Sequence, residues 1–278
     1  MYRYITVDEE NNGQLFYYFI KSERRPEEDP LVTWISGGPG CSSFFGLAFE
    51  IGPLHFDIKK YDGEIPNLVL HPYSWTKVSN ILFIDIPIGA GFSFARRSEP
   101  YMGGDITSSK QVYKFIRKWL DEHPQFLLNP LYIGGDSYSG KLIPVITNEV
   151  IEGKFYSLQQ GMTKSWEYCT SYLPYVMDIP SSLPYLFNIS TRGYRALLYS
   201  GDHDMVVTHL AVQEALTHLN SSIVDDWRPW SVDGQVAGFT RSYANNLTFA
   251  LGGGHTTPEN RPEECYAMFE RWISHKPL

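Results

Sequence analysis

Short, almost wholly apolar runs recur along this chain, each closed by a Gly- or Pro-marked break, and they restrict its folds more than any other feature. They are "QLFYYFI", "LVTWIS", "NILFIDIP", "LYIGG" and "RALLYSG", followed by "QVAGFTRSY" and "NLTFALGG". A strand apolar at successive positions has to be covered on both faces. Between the third and fourth runs lies "SSKQVYKFIRKWLDEHPQF". There Val112, Phe115, Ile116, Trp119 and Leu120 fall on one helical face, and Ser108 or Ser109 is the expected cap. Strands alternating with helices predict a doubly wound, mostly parallel α/β sheet. The 278 residues fit one domain, 1–278, without internal repeats or low-complexity tracts.

A net charge of −8 argues against nucleic acid or an anionic membrane as the main partner. No apolar run approaches the roughly 18 residues of a membrane span, so a soluble protein without a membrane partner is expected. The start, "MYRYITVDEENNG", is too polar for a signal peptide. Three sequons, at Asn188, Asn220 and Asn246, nevertheless point to the secretory pathway, and residence there would require a leader missing from this version of the chain. Three cysteines allow one bridge and an odd thiol, at spacings that fit no metal site. "SERRPEEDP" reads as a surface loop without chemistry. The aromatic, Pro-rich stretch from Tyr156 to Asn188 (156–190 at its widest) lacks periodicity and reads as the remnant of a lid.

Chemistry is concentrated where runs end. "LYIGGDSYSGKLIPVI" places Ser137 between a strand and a helix, the context of a nucleophile elbow; the usual fifth residue of that motif is Gly, and here Ser139 stands there with Gly140 one step later. A serine hydroxyl needs a base, and the base needs an orienting acid. In α/β hydrolases these follow in the order Ser, acid, His. "ALLYSGDHDMVV" offers Asp202 and Asp204; Asp204 is the better acid, because Asp202 directly follows a Gly and is placed to shape the turn. "FALGGGHTTPE" offers His255 after a Gly-rich turn. The glycines of "WISGGPGCSS" let backbone approach a substrate, so the Gly38 and Tyr138 N–H groups are the expected oxyanion donors.

Together these residues resemble the serine carboxypeptidase family, peptidase family S10. The matching blocks are "WISGGPGCSS", "NILFIDIPIGAGFSFA", "GGDSYSGKLIP", "YSGDHDMVV" and "GGGHTTPEN". "DDWRPW", "QVAGFTRSY" and "RPEECYAMFERWI" are further similar to a plant serine carboxypeptidase-like branch related to acyltransferases. The resemblance implies an α/β-hydrolase fold, a Ser137–His255–Asp204 triad, an oxyanion hole at Gly38 and Tyr138, a Cys41–Cys169 disulfide with Cys265 as a buried free thiol, no metal or cofactor, and vacuolar or extracellular residence. It places Ser36, Gly37 and Asp136 at the substrate. In the family's carboxypeptidases the first and last of these positions hold Asn and Glu, which bind a peptide's terminal carboxylate. The shorter Ser36 and Asp136 are either tolerated variants or a site that no longer selects a carboxylate. The partners implied are therefore an acyl ester and an acceptor alcohol, or a peptide C-terminus. The segment from Ser137 to Asp204 is short for the family, so the lid insertion and one central strand are expected to be missing. An inactive shortened isoform is the third reading.

Overall fold

The computed structural model describes residues 1–57, 63–96, 101–153, 159–160, 167–170 and 172–278. Part of the expected lid remnant, 156–158, 161–166 and 171, lies outside the described residues. The chain divides into two compact units. One comprises Met1–His71 and Thr76–Ser182, the other Pro72–Trp75 and Leu183–Leu278.

In the first unit, β1 (Tyr2–Asp8), β2 (Gly13–Ile20), β3 (Leu31–Ile35), β4 (Asn80–Ile84) and β5 (Leu131–Gly135) form one sheet in the order β1-β2-β4-β3-β5. β3 runs parallel to both neighbours, in the register Val32↔Ile81 and Val32↔Tyr132. Every residue of β3 and β4 is buried, which accounts for their continuous apolar sequences. Helix α1 (Asp105–Glu122) lays Val112, Phe115, Ile116 and Trp119 into this core, with Trp119 edge-on to Phe19 at 4.9 Å between ring centres.

Neither Ser108 nor Ser109 caps that helix. It begins earlier, after Gly104, and both serines are buried inside it. Gly103–Gly104 pairs in parallel with Tyr175–Val176, and the Ile106 N–H donates to the Asp178 carboxylate at 3.0 Å. The capping carboxylate comes from a segment 72 residues away, which local sequence does not reveal. The loop "SERRPEEDP" lies at the surface but folds around buried Asp29, which accepts from Ser22 Oγ at 2.6 Å and from the Arg25 N–H at 2.9 Å.

The second unit contains α3 (Leu183–Thr191), β6 (Ala196–Ser200), α4 (His209–Thr217), β7 (Ile223–Val232), β8 (Gln235–Tyr243), β9 (Leu247–Leu251) and α5 (Pro262–Ile273). Its sheet runs β6-β9-β8-β7, with β6 and β9 parallel in the register Ser200↔Leu251 and the other ladders antiparallel. Leu186, Leu216, Leu219, Leu247 and Phe249 form one core cluster; Trp230, Ala250, Met268 and Cys265, which is outside the disulfide, form another.

β5 ends the first sheet and β6 ends the second, and each is half-buried along nearly its whole length. An apolar strand in that position is one a further strand would cover, as expected where a central strand is missing. Among the described residues no helix is long and apolar enough to cross a membrane.

Candidate active site

Three parallel strands of the first unit bring loops to one edge of their sheet, the carboxyl ends where α/β sheets place their ligands. β5 stops at Gly135. The Asp136 N–H still donates to Ile35 O at 3.2 Å, and the chain then turns into α2 (Ser139–Glu152). Ser137 sits in that turn at φ +52°, a left-handed conformation uncommon for a residue with a Cβ. Strand and helix crowd at Gly135, where a Cβ would lie 2.1 Å from Ile35 O. The departure from the usual motif also has a physical account. Ser139 Oγ donates to Asp136 O at 2.7 Å and ties the turn, while a Cβ on Gly140 would meet nothing within 4 Å.

The loop after β3 lies directly against this turn. A Cβ on Gly37 would stand 2.7 Å from both Ser137 Cβ and Tyr138 N, so only glycine lets the two backbones meet. Gly38 follows at φ +106°. Ser36 is buried, and its Oγ has no hydrogen-bond partner among the described residues. Asp136 is half-buried beside Ser137. The Cys41–Cys169 disulfide is formed, and it holds this loop together with bonds from Ser42 N–H to Tyr168 O (2.8 Å) and from Thr170 N–H to Gly40 O (3.1 Å).

A buried carboxylate that sequence reasoning passed over anchors the same loop. Asp85, just beyond β4, accepts from Ser42 Oγ (2.8 Å), the Ser43 N–H (2.8 Å) and the Phe92 N–H (2.9 Å). Ser43 Oγ in turn donates to Ile84 O and accepts from the Ser36 N–H. The only signal in the sequence is an acid ending an apolar run. Burial pushes the Asp85 carboxyl up to about 6, against the pull of the Phe92, Ser42 and Ser43 donors. Because an unfolded aspartate titrates near pH 4, the native state holds this proton more tightly. Asp85's contribution to stability is therefore full below about pH 4 and is lost as pH rises through about 6. In urea unfolding from pH 4 to 7, the wild type should lose roughly 3 kcal/mol relative to Asp85→Asn, whatever the variant's absolute stability. Parallel pH profiles for the two proteins would contradict this.

In the second unit the parallel pair β6 and β9 delivers the other two candidates. Asp204 Oδ2 accepts from His255 Nδ1 at 2.8 Å, while Oδ1 accepts from the Val206 and Val207 N–H groups at 2.7 and 3.1 Å. Burial raises the Asp204 carboxyl, but the bonds from His255, Val206 and Val207 outweigh it and hold it below the usual aspartate range. An ionised carboxylate on Nδ1 fixes the orientation of the imidazole ring. Asp202 does something else: its Oδ1 accepts from the Gly253 N–H at 3.0 Å, lacing the two loops together. Ser137, Tyr138, Gly38, Ser36, Gly37 and Asp136 belong to the first unit; Asp204 and His255 belong to the second.

Of the sequon asparagines, Asn220 and Asn246 are exposed at turns with positive φ, whereas Asn188 is half-buried within α3. Among the described residues no group of three or more His, Cys, Asp or Glu side chains could hold a metal.

A model of the serine carboxypeptidase family matches residues 2–160 and 156–275 of the chain. Serine carboxypeptidase-like 7 of Arabidopsis thaliana is 36% identical over 392 aligned positions, covering 99% of this chain and 90% of that protein. Serine carboxypeptidase-like 17 of the same organism is 37% identical over 391 positions, covering 99% and 89%. Both alignments are far longer than the 278 residues here, so the relatives carry more than a hundred residues opposite gaps in this chain. Among solved structures, a prohormone-processing carboxypeptidase from Saccharomyces cerevisiae is similar with a TM-score of 0.76 at 15% identity, covering 99% of this chain and 91% of that one. Est1E from Butyrivibrio proteoclasticus, solved with ferulic acid bound, reaches 0.51 at 12% identity, covering 99% and 98%. At such identities these structures speak for the fold alone, which is the α/β-hydrolase fold expected from the sequence.

Proposed function

The chain belongs to the serine carboxypeptidase family, and from that premise we propose that it forms an acyl-enzyme on Ser137 and passes the acyl group to an alcohol. The family makes it a serine carboxypeptidase-like enzyme; the transfer reaction and its substrates are our reading. The observation that carries the reading is the 2.8 Å bond from His255 to a buried Asp204, because an oriented imidazole is what a serine nucleophile requires.

In the proposed cycle Ser137 Oγ attacks the carbonyl of an activated ester, of the glucose-ester type carrying a phenolic acid. His255 accepts the Ser137 proton and gives it to the departing sugar oxygen as the acyl–oxygen bond breaks. The acceptor alcohol then attacks the acyl-enzyme while His255 takes its proton and returns it to Ser137 Oγ. The N–H groups of Gly38 and Tyr138 face the developing oxyanion, each contributing about 3 kcal/mol to the transition state.

Ser36 favours an ester over a peptide. Its buried hydroxyl, without a partner among the described residues, could take a substrate oxygen, but it supplies one short donor where a carboxamide would offer two on a longer arm. A weakened bond to a terminal carboxylate costs roughly 1–3 kcal/mol. Incubation with a phenolic glucose ester and an acceptor alcohol should yield transferred product that is absent in Ser137→Ala. Release of C-terminal residues from blocked dipeptides without transfer would instead establish the peptidase reading, and neither product from folded protein would establish an inactive isoform. The disulfide and the exposed sequons at Asn220 and Asn246 support a vacuolar or extracellular protein.

A further inference from the structure

Asp105 is the first residue of α1 and is completely buried. A carboxylate in that setting needs donors, and it draws them from two other segments, 138–141 and 175–179. Its Oδ1 accepts from the Tyr138 hydroxyl at 2.7 Å and the Tyr175 hydroxyl at 2.9 Å. Its Oδ2 accepts from the Ile179 N–H at 3.1 Å and pairs with Lys141 Nζ at 3.2 Å. Burial works against the charge, but the bonds from Tyr138, Ile179, Tyr175 and Lys141 outweigh it and hold the carboxyl below the usual aspartate range.

One of these donors is unlike the others. Tyr138 follows Ser137 directly, and its main-chain nitrogen is the atom that Gly37 packs against. Tyr138 is also the residue at which the turn enters α2, so a tether on its ring acts on the peptide that carries the proposed oxyanion donor. Two phenols thus share one carboxylate oxygen: one is joined to the nucleophile turn, and the other belongs to the 175–179 segment.

We propose that Asp105 is a positioning residue for the nucleophile turn, its carboxylate fixing the Tyr138 main-chain N–H through the Tyr138 hydroxyl. The proposal rests on the reading of Ser137 as the nucleophile. A buried charged acceptor suits this task better than a neutral one. Hydrogen bonds to an ionised group are shorter and about twice as strong, and the partners around Asp105 leave it little freedom to rotate. The Tyr138 hydroxyl is committed to the buried Asp105 carboxylate, so its effect on the turn passes through the backbone.

The pair of phenols supplies the test. Tyr138→Phe and Tyr175→Phe each remove one hydroxyl from the same Asp105 oxygen, but only Tyr138 belongs to the turn; Tyr175 meets it through a ring contact that phenylalanine keeps. Single-turnover acylation by p-nitrophenyl acetate is followed for both variants, with thermal melting alongside. Tyr138→Phe is expected to lower the limiting acylation rate roughly tenfold while leaving the half-saturating ester concentration unchanged. Tyr175→Phe is expected to acylate within twofold of the parent. In an Asp105→Ala background, Tyr138→Phe should add less than twofold, because the acceptor of the Tyr138 hydroxyl is already gone. Equal slowing in the two phenylalanine variants, or none in Tyr138→Phe, overturns the proposal and leaves Asp105 as a structural anchor. A parent that is not acylated at Ser137 removes the proposed function and this inference with it, and peptide mapping of the acyl group separates that outcome from the first two.

Discussion

Ser137→Ala is expected to abolish covalent labelling by a fluorophosphonate and to lower ester turnover by at least about 10⁴-fold, with unfolding little changed. The size follows from the nature of the step. A nucleophile has no substitute once its oxygen is removed, and what survives is the modest catalysis from binding and oxyanion donors. The structure provides an internal control two residues away. Ser139 is also a serine of the motif, but it is buried and its hydroxyl is committed to Asp136 O. Ser139→Ala should therefore label nearly as the parent does and cost about 1 kcal/mol of stability, the ordinary worth of one hydrogen bond. His255→Ala should fall with Ser137→Ala, since an unassisted hydroxyl is a poor nucleophile at neutral pH. Intact labelling in Ser137→Ala, or its loss in Ser139→Ala alone, would move the chemistry to a different serine.

The second large effect concerns the disulfide. Cys41 and Cys169 are separated by 128 positions, so their bond closes a long loop in the unfolded chain. On the chain-entropy estimate such a closure stabilises the native state by roughly 4–5 kcal/mol. Replacing both cysteines by serine should lower the urea midpoint accordingly. Acylation should slow as well, because the bond does more than cross-link. Tyr168 O and the Thr170 N–H pair with Ser42 and Gly40 on either side of Cys41, Thr170 Oγ donates to Gly89 O at 2.9 Å, and the Leu173 side chain lies close to Gly40 and Gly89. The loop that bears Gly38 is thus clamped by Tyr168, Cys169, Thr170 and Leu173. A double serine variant that keeps both the parental midpoint and the parental acylation rate would show that the surrounding hydrogen bonds suffice without the bridge.

Much of this molecule is written locally. Apolar runs mark β3 and β4 because a strand buried at every position has few polar residues to interrupt it. The face of α1 is legible because helical spacing survives in any context that buries one side. Ser137 is legible for a related reason: a left-handed turn pressed between a strand and a helix requires small residues at fixed offsets, and those offsets are short. The order Ser, Asp, His could likewise be read along the chain, together with the family kinship that the aligned relatives bear out.

Other features depended on contacts that no window of sequence contains. Asp202 and Asp204 stand two residues apart in "GDHD", and composition alone barely separates them. Folding does, by giving the first to a main-chain N–H of the Gly253 turn and the second to the His255 ring. Asp85 and Asp105 are ordinary acids in the sequence, and their importance lies in donors that converge from distant segments around a carboxylate removed from water. The true start of α1 depended on Asp178, and the half-buried edges of β5 and β6 on which strands each sheet retains. Periodicity and turn chemistry are short-range and survive in a linear string. Hydrogen-bond partners of buried charges are assigned only when loops far apart in the chain are closed, so the tertiary structure alone decided them.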